Sequence, residues 1–245
     1  MPTIPTSQDA RIHTEPGFVW DEQNAYLFDI DGTLLRSRDR THFNSFAFAV
    51  RQVTGFEITL EGLRLSGNTD TAILCEACEI AGVPADVFEQ KRAAVLAAMC
   101  SFVNDHRNEL EPYLMPGVED ALRHLTSKGA VLGLATGNLE GIGWTKIEKA
   151  GLREWFRFGG FSDHFPIRAE LVANAARKAR EMAGTGARVC VVGDTPRDIE
   201  AAHANSLPVI AVATGNYSFE ALLEHRPEVC ASSLADLLAQ AQVEP

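Results

Sequence analysis

The chain has 245 residues, with 33 Asp and Glu against 22 Lys and Arg, giving a formal net charge of −11 and a pI near 5.1. That balance disfavours nucleic acid, whose phosphates demand Lys and Arg, and anionic membrane surfaces. A small anionic substrate stays open, because a local field can oppose the global one.

The length suits one large domain, or one domain with an insertion, and is enough to bury a sizeable core. Five cysteines, Cys75, Cys78, Cys100, Cys190 and Cys230, are odd in number and make no framework. They read as reduced thiols in a cytoplasmic protein. Cys75 and Cys78 form a CxxC in a helical pattern with no second pair, which fits helix packing rather than metal or redox use. Met1 to Trp20 has no apolar run of the signal-peptide kind, and no stretch approaches a membrane span.

In chain order, residues 1–23 read as a loose lead-in or arm. An apolar strand is expected over Ala25 to Ile30. Helical periodicity then takes over. His42, Phe43, Phe46, Ala47, Val50 and Val53 suit one amphipathic helix, with Gly55 near its end. Ile73, Leu74, Ala77, Cys78 and Ala81 suit a second, stopped at Gly82. Val87, Phe88, Val95, Met99, Phe102 and Val103 suit a third. No strand is expected between about Leu35 and Met115, so a helical module, residues 37–113, follows the first strand. Core segments 1–36 and 114–245 flank it.

From Pro116 a helix (Val118, Ala121, Leu122, Leu125) leads to a strand over Ala130 to Ala135, ending in Thr136-Gly137-Asn138. A helix near Trp144 to Ala150, a short extended piece near Phe158 to Asp163 and a helix from Arg168 to Met182 follow. A strand over Arg188 to Val192 ends in Gly193-Asp194. The helix after Pro196 carries Ile199 and Ala202. Pro208 to Ala213 reads as a strand and Leu234 to Ala241 as a last helix. Alternating strands and helices imply an α/β fold with a doubly wound, mainly parallel sheet.

Open sheets of this kind bind ligands beyond the C-terminal ends of their strands. Asp29 and Asp31 lie two positions apart at the first strand's tip, so both side chains face one side, and Gly32 permits a tight exit. Paired carboxylates call for a cation or a shared proton. Thr136, Asp194 and Asp198 belong to neighbouring tips. Converging carboxylates and a hydroxyl suit Mg²⁺, which keeps waters and is often completed by a substrate phosphate.

The run Asp29-Ile30-Asp31-Gly32-Thr33, then Thr136, then a basic residue, then Gly193-Asp194-Thr195-Pro196-Arg197-Asp198 resembles the haloacid dehalogenase superfamily, over nearly the whole chain after the lead-in. The helical insertion resembles the cap of phosphoglycolate phosphatases and β-phosphoglucomutases. The resemblance implies a Rossmann-like core and Asp29 as a nucleophile forming an aspartyl-phosphate. It implies Asp31 as general acid and then base. Mg²⁺ would be held by Asp29, Asp194 and the Asp31 carbonyl, with Asp198 positioning the metal's surroundings or the basic residue. Thr136 and the following N–H groups of Gly137 and Asn138 would hold phosphoryl oxygens. The family usually has a Lys at the basic position. Here the candidate is Arg168, which can bind phosphate bidentately; Arg177 and Lys178 lie deeper in the helix.

The family's dehalogenases lack an acid at the position of Asp31, so the resemblance favours phosphoryl transfer to water from a small phosphate ester, with 2-phosphoglycolate one candidate. A sugar phosphate mutase and a non-catalytic binding member are the alternatives. The expected assembly is a monomer or homodimer. In the insertion, Gly67-Asn68-Thr69-Asp70 reads as a helix start, capped by Thr69 or Asp70, or as a stretch facing the site. His42 and Arg64 read as structural before functional, and Trp20 and Trp144 as packing residues.

Overall fold

The computed structural model describes residues 11–241. Of the lead-in expected over 1–23, residues 1–10 lie outside the described residues. A seven-stranded sheet is built from β1 (Ile12–Thr14), β2 (Ala25–Phe28), β5 (Val131–Ala135), β6 (Gly159–Gly160), β7 (Val189–Gly193), β8 (Val209–Val212) and β9 (Val229–Ala231). Its order is β1-β9-β8-β7-β2-β5-β6, and every pairing is parallel except the edge pair β1–β9. β2 is central, Ala-Tyr-Leu-Phe, all four buried. A strand covered on both faces reads as a continuous apolar run, which is why it is visible in sequence.

Alternation along the strands builds two apolar layers. Tyr26, Phe28, Leu134 and Val192 face α4 (Val118–Ser127) and α9 (Leu234–Ala241). Ala25, Leu27, Val189 and Val191 face α6 (Arg168–Ala183) and α7 (Pro196–Ala204). Helices on both faces give the doubly wound, Rossmann-like α/β architecture. α5 (Glu140–Lys149) and the short α8 (Phe219–Leu223) complete this part of the chain.

Three helices follow the first strand: α1 (Thr41–Thr54), α2 (Asp70–Ile80) and α3 (Ala85–Asp105). They pack on an apolar cluster of their own, around Phe46, Val50, Leu74, Val95 and Met99. Leu139 and Ile142, at the start of α5, join it. Cys75 and Cys78 are free thiols, Cys78 within this cluster. Burial pushes the Cys78 thiol up to about 11, away from thiolate chemistry.

Four expectations need correcting. β3 (Leu35–Ser37) and β4 (Pro112–Leu114) form a two-stranded antiparallel ribbon where no strand was expected. Three residues are too few to display an alternation. The lead-in is not wholly loose, because residues 12–14 complete the sheet against β9. β9 itself is too short to announce itself in sequence. Finally, β2 stops at Phe28, and Asp29 to Asp31 form the turn beyond it.

Candidate active site

The chain leaves β2 through Asp29, whose N–H donates to Val192 O at 2.9 Å and so extends the pairing with β7 by one residue. Gly32 then takes φ 93°, a conformation L side chains rarely adopt, and a Cβ there would stand 2.4 Å from Asp194 Oδ2. Glycine therefore lets the turn form and lets Asp194, just beyond β7, close over it. The Thr33 hydroxyl donates to Asp194 Oδ1 at 3.1 Å. Thr195 caps α7 reciprocally with Asp198: each backbone N–H is received by the other's side chain. That capping box holds the Asp198 carboxylate beneath the same turn.

Asp29, Asp194 and Asp198 are all buried, and each offers an oxygen within 4.8 Å of the others. Arg168, the first residue of α6 and 8% exposed, lies among them. Its Nη2 stands 3.1 Å from Asp29 Oδ1 and 2.6 Å from Asp198 Oδ1, and its Nε donates to Asp198 Oδ1 at 2.9 Å. Nη1 donates to Gly67 O at 3.2 Å. Nη2 makes these ionic contacts without a well-directed hydrogen bond.

Three carboxylates around one guanidinium leave negative charge uncompensated. Burial, aided by Asp198 and Asp31, lifts the Asp29 carboxyl to about 6 against the opposing pull of Arg168. Burial, with Asp29 and Asp198 beside it, likewise lifts Asp194. Both oxygens of Asp198 already have partners: Arg168 on Oδ1 and Thr195 on Oδ2. The donor set open to a hard cation is thus Asp29 and Asp194, which are oxygen ligands on a site short of positive charge. That fits Mg²⁺.

Asp31 is handled differently. Its side chain is 44% exposed, opening into the cleft, and Lys146 Nζ donates to both its oxygens, at 2.8 and 2.7 Å. Lys146 also donates to Asn138 Oδ1 at 2.8 Å, while Asn138 Nδ2 donates to Asp31 Oδ2 and to Thr136 Oγ1, each at 2.8 Å. Burial pushes the Asp31 carboxyl up. The charges of Lys146 and His42 and the bonds from Lys146 and Asn138 outweigh it, holding the group below its ordinary value.

Sequence reasoning passed over Lys146. The signal was present, since Lys146 sits on the buried face of α5 with Ile142, Gly143 and Ile147, where a charge needs a partner.

The segment leading into α2 lies against this site. Thr69 caps α2, accepting from Ala72 N–H, and its hydroxyl donates to Pro166 O at 2.7 Å. Asp70 N–H donates to Gly137 O at 2.7 Å. Asp70 Oδ2 accepts from Leu139 N–H at 2.8 Å and lies 3.0 Å from His42 Nε2. So both readings of residues 67–70 hold: a helix start, and a wall of the site. A cavity of about 410 Å³ runs between the two parts, lined by Asp29, Asp31, Thr136, Gly137, Asn138, Arg168 and Asp194, with His42 and Lys146 also on its wall. Asp198 stands behind Arg168. Arg64 is exposed and off the cavity. Arg177 pairs with Glu181, and Lys178 with Gly159 O. Trp20 and Trp144 pack on the core.

Residues 23–205 match the model of the haloacid dehalogenase-like hydrolase family. The chain belongs to this family. Among curated proteins, it is 26% identical over 208 residues to a phosphoglycolate phosphatase of Mesorhizobium japonicum, covering 84% of this chain and 89% of the relative. Two similar solved structures carry provisional descriptions. One, from Haemophilus somnus, is described as a phosphoglycolate phosphatase (TM-score 0.64, 20% identity, 90% of this chain and 98% of that one). The other, from Bacteroides vulgatus, is described as a β-phosphoglucomutase (TM-score 0.61, 20% identity, 90% and 88%). At these identities the solved structures establish the fold, and the family match establishes a haloacid dehalogenase-like hydrolase.

Proposed function

We propose that the chain is a Mg²⁺-dependent phosphatase that hydrolyses a small phosphorylated metabolite through an aspartyl-phosphate on Asp29. The observation that carries this reading is the contrast between the two tip carboxylates. Asp29 is buried against Arg168 and Asp194, whereas Asp31, two residues on, opens to the cleft in the grip of Lys146.

Asp29 Oδ attacks phosphorus, the P–O bond to the alcohol breaks, and the leaving oxygen takes a proton from Asp31. Water then attacks the same phosphorus, Asp31 accepts its proton, and the bond to Asp29 breaks to release phosphate. Lys146 favours ionised Asp31, the form the second step needs. The arriving phosphate dianion adds negative charge beside Asp31 and moves its carboxyl upward, toward the acid the first step needs.

Arg168 Nη2, Thr136 and the N–H groups of Gly137 and Asn138 bind phosphoryl oxygens, and Asp198 holds the guanidinium in place. Mg²⁺, held by the Asp29 and Asp194 carboxylates and the Asp31 carbonyl, would neutralise charge between nucleophile and phosphate. Residues 37–113 serve as the cap that excludes water and admits the alcohol. 2-Phosphoglycolate, the substrate named for the curated relative, is the reference compound. A bisphosphate-reorienting mutase would need free basic groups on the cap wall, where His42 is paired with Asp70 and Asp39 adds a second carboxylate.

Phosphate release in the presence of Mg²⁺, lost in EDTA and restored by added metal, is the expected result. Release undiminished in EDTA would remove the metal from the reaction.

The metal should also compete with protons. Asp29 and Asp194 have folded-state values raised above the ordinary carboxylate range. Metal-free stability from these groups is therefore greatest at low pH and is lost as pH rises through their raised values, about 6 for Asp29. Mg²⁺ needs both groups ionised. Its stabilisation, read as a rise in Tm, should be larger at pH 8 than at pH 5. An equal rise at both would exclude these carboxylates as ligands.

Gly137→Ala tests the cap contact. The new Cβ would stand 2.5 Å from Asn68 O, a backbone atom of the cap. Displacing that wall should lower kcat/KM by roughly 10²-fold with the far-UV CD spectrum unchanged. Wild-type turnover would mean that the contact is unimportant.

A further inference from the structure

The phosphate end of the cavity is polar, whereas its cap end carries an apolar patch. Phe43 and Phe46 on α1, Leu60 and Leu65 on the segment before α2, Ile73 on α2 and Leu110 before β4 make up that patch, beside Asp39, His42 and Asp70. Phe46, Leu60, Ile73 and Leu110 are each at most 6% exposed and belong to the cap's own packed cluster, against which the half-buried Phe43 and Leu65 lie open to the cavity.

The charges at this end already have partners or carry the wrong sign for an anion. His42 pairs with Asp70. At the phosphate end, Lys146 and Arg168 face Asp31, Asp29 and Asp198. Asp39, also on the wall, accepts from the Ser37 hydroxyl and from the Thr41 and Glu111 N–H groups, which keep it ionised. Arg36, another residue of the lining, donates to Asn216 Oδ1. A carboxylate entering beside the phosphate would be desolvated against phenylalanine, leucine and two fixed aspartates. A cavity of about 410 Å³ is also larger than a two-carbon acid needs.

We propose that the alcohol released by this enzyme is apolar and uncharged, an alkyl or aryl group that fills the cap wall, and not a hydroxy acid or a sugar. The proposal rests on the phosphatase reading above.

Two substrate series with Mg²⁺ test it. In n-alkyl phosphates from methyl to hexyl, kcat/KM should climb about threefold to fourfold per methylene, the value of burying each one. In a matched pair, 3-phenylpropyl phosphate should exceed 3-(4-carboxyphenyl)propyl phosphate by roughly tenfold or more. The two share a leaving group and differ in one carboxylate. Phe43, half-buried on α1, supplies a variant: Phe43→Ser should flatten the alkyl series, lowering the hexyl-to-methyl ratio by about tenfold.

A flat wild-type series, or a preference for the carboxylated partner or for 2-phosphoglycolate, would overturn the proposal and leave the phosphatase standing. No release from any ester would remove the phosphatase, and this inference with it.

Discussion

Asp29→Asn is expected to fold, to bind Mg²⁺ weakly and to release phosphate roughly 10⁴-fold or more slowly than wild type, the scale of losing a covalent nucleophile. An amide cannot form the acyl-phosphate, and no neighbouring carboxylate can take over. Asp194 is pinned by Thr33 across Gly32, and Asp198 is engaged by Arg168 and Thr195. The same change should leave the metal-free protein more stable at pH 8, because it removes a buried charge that crowds Asp194 and Asp198. Arg168 keeps two contacts to Asp198. The gain should shrink toward pH 5, where the wild-type carboxyl, raised to about 6, is already protonated. The pair of readouts is diagnostic. Lost turnover with a raised metal-free Tm marks a functional carboxylate that costs stability. Lost turnover with a lowered Tm would make Asp29 a structural residue, and turnover at the wild-type rate would dismiss it as nucleophile.

How far such a site can be read from sequence depends on what fixes each residue. Asp29, Thr136 and Asp194 stand directly after buried apolar strands, and Asp31 in the turn that follows the first of them. Strand order alone sends them to one edge, and the structure places all four on one cavity. Arg168 was accessible because it opens a helix between two such tips. The ribbon of β3 and β4, the edge strand β1 and its neighbour β9 were not accessible. Each is three residues long, and its pairing is set by chain far away, Leu35 with Leu114 and Ile12 with Ala231. The Asp70–His42 pair was half visible: the capping pattern marked the start of α2, but the contact with Leu139 bridges 69 residues. Local propensity carries no information about such contacts.

Lys146→Met is the change that should separate positioning from structure. Lys146 is 4% exposed and has three acceptors, two on Asp31 and one on Asn138. Methionine retains much of the volume and removes the charge. The stability loss should be modest for a buried lysine, because the carboxylate left behind opens to the cleft and is rehydrated there, unlike a sealed ion pair. The chemistry should suffer more. Without Lys146, Asp31 loses the largest influence holding its carboxyl down, and the carboxyl rises. A raised carboxyl is more often protonated near neutrality, so its acid form is more abundant and its base form scarcer. Alcohol release should therefore outlast water attack, giving a burst of alcohol before steady turnover. The acid limb of the kcat profile should move to higher pH, and kcat should fall about 10²-fold at pH 7. Lys146→Arg keeps the charge but not the compact ammonium that reaches both Asp31 oxygens and Asn138. It should restore the position of the limb more than the rate. If Lys146→Met lowers Tm and leaves the pH profile in place, Lys146 merely fills α5's buried face, and the acid–base balance of Asp31 is set elsewhere.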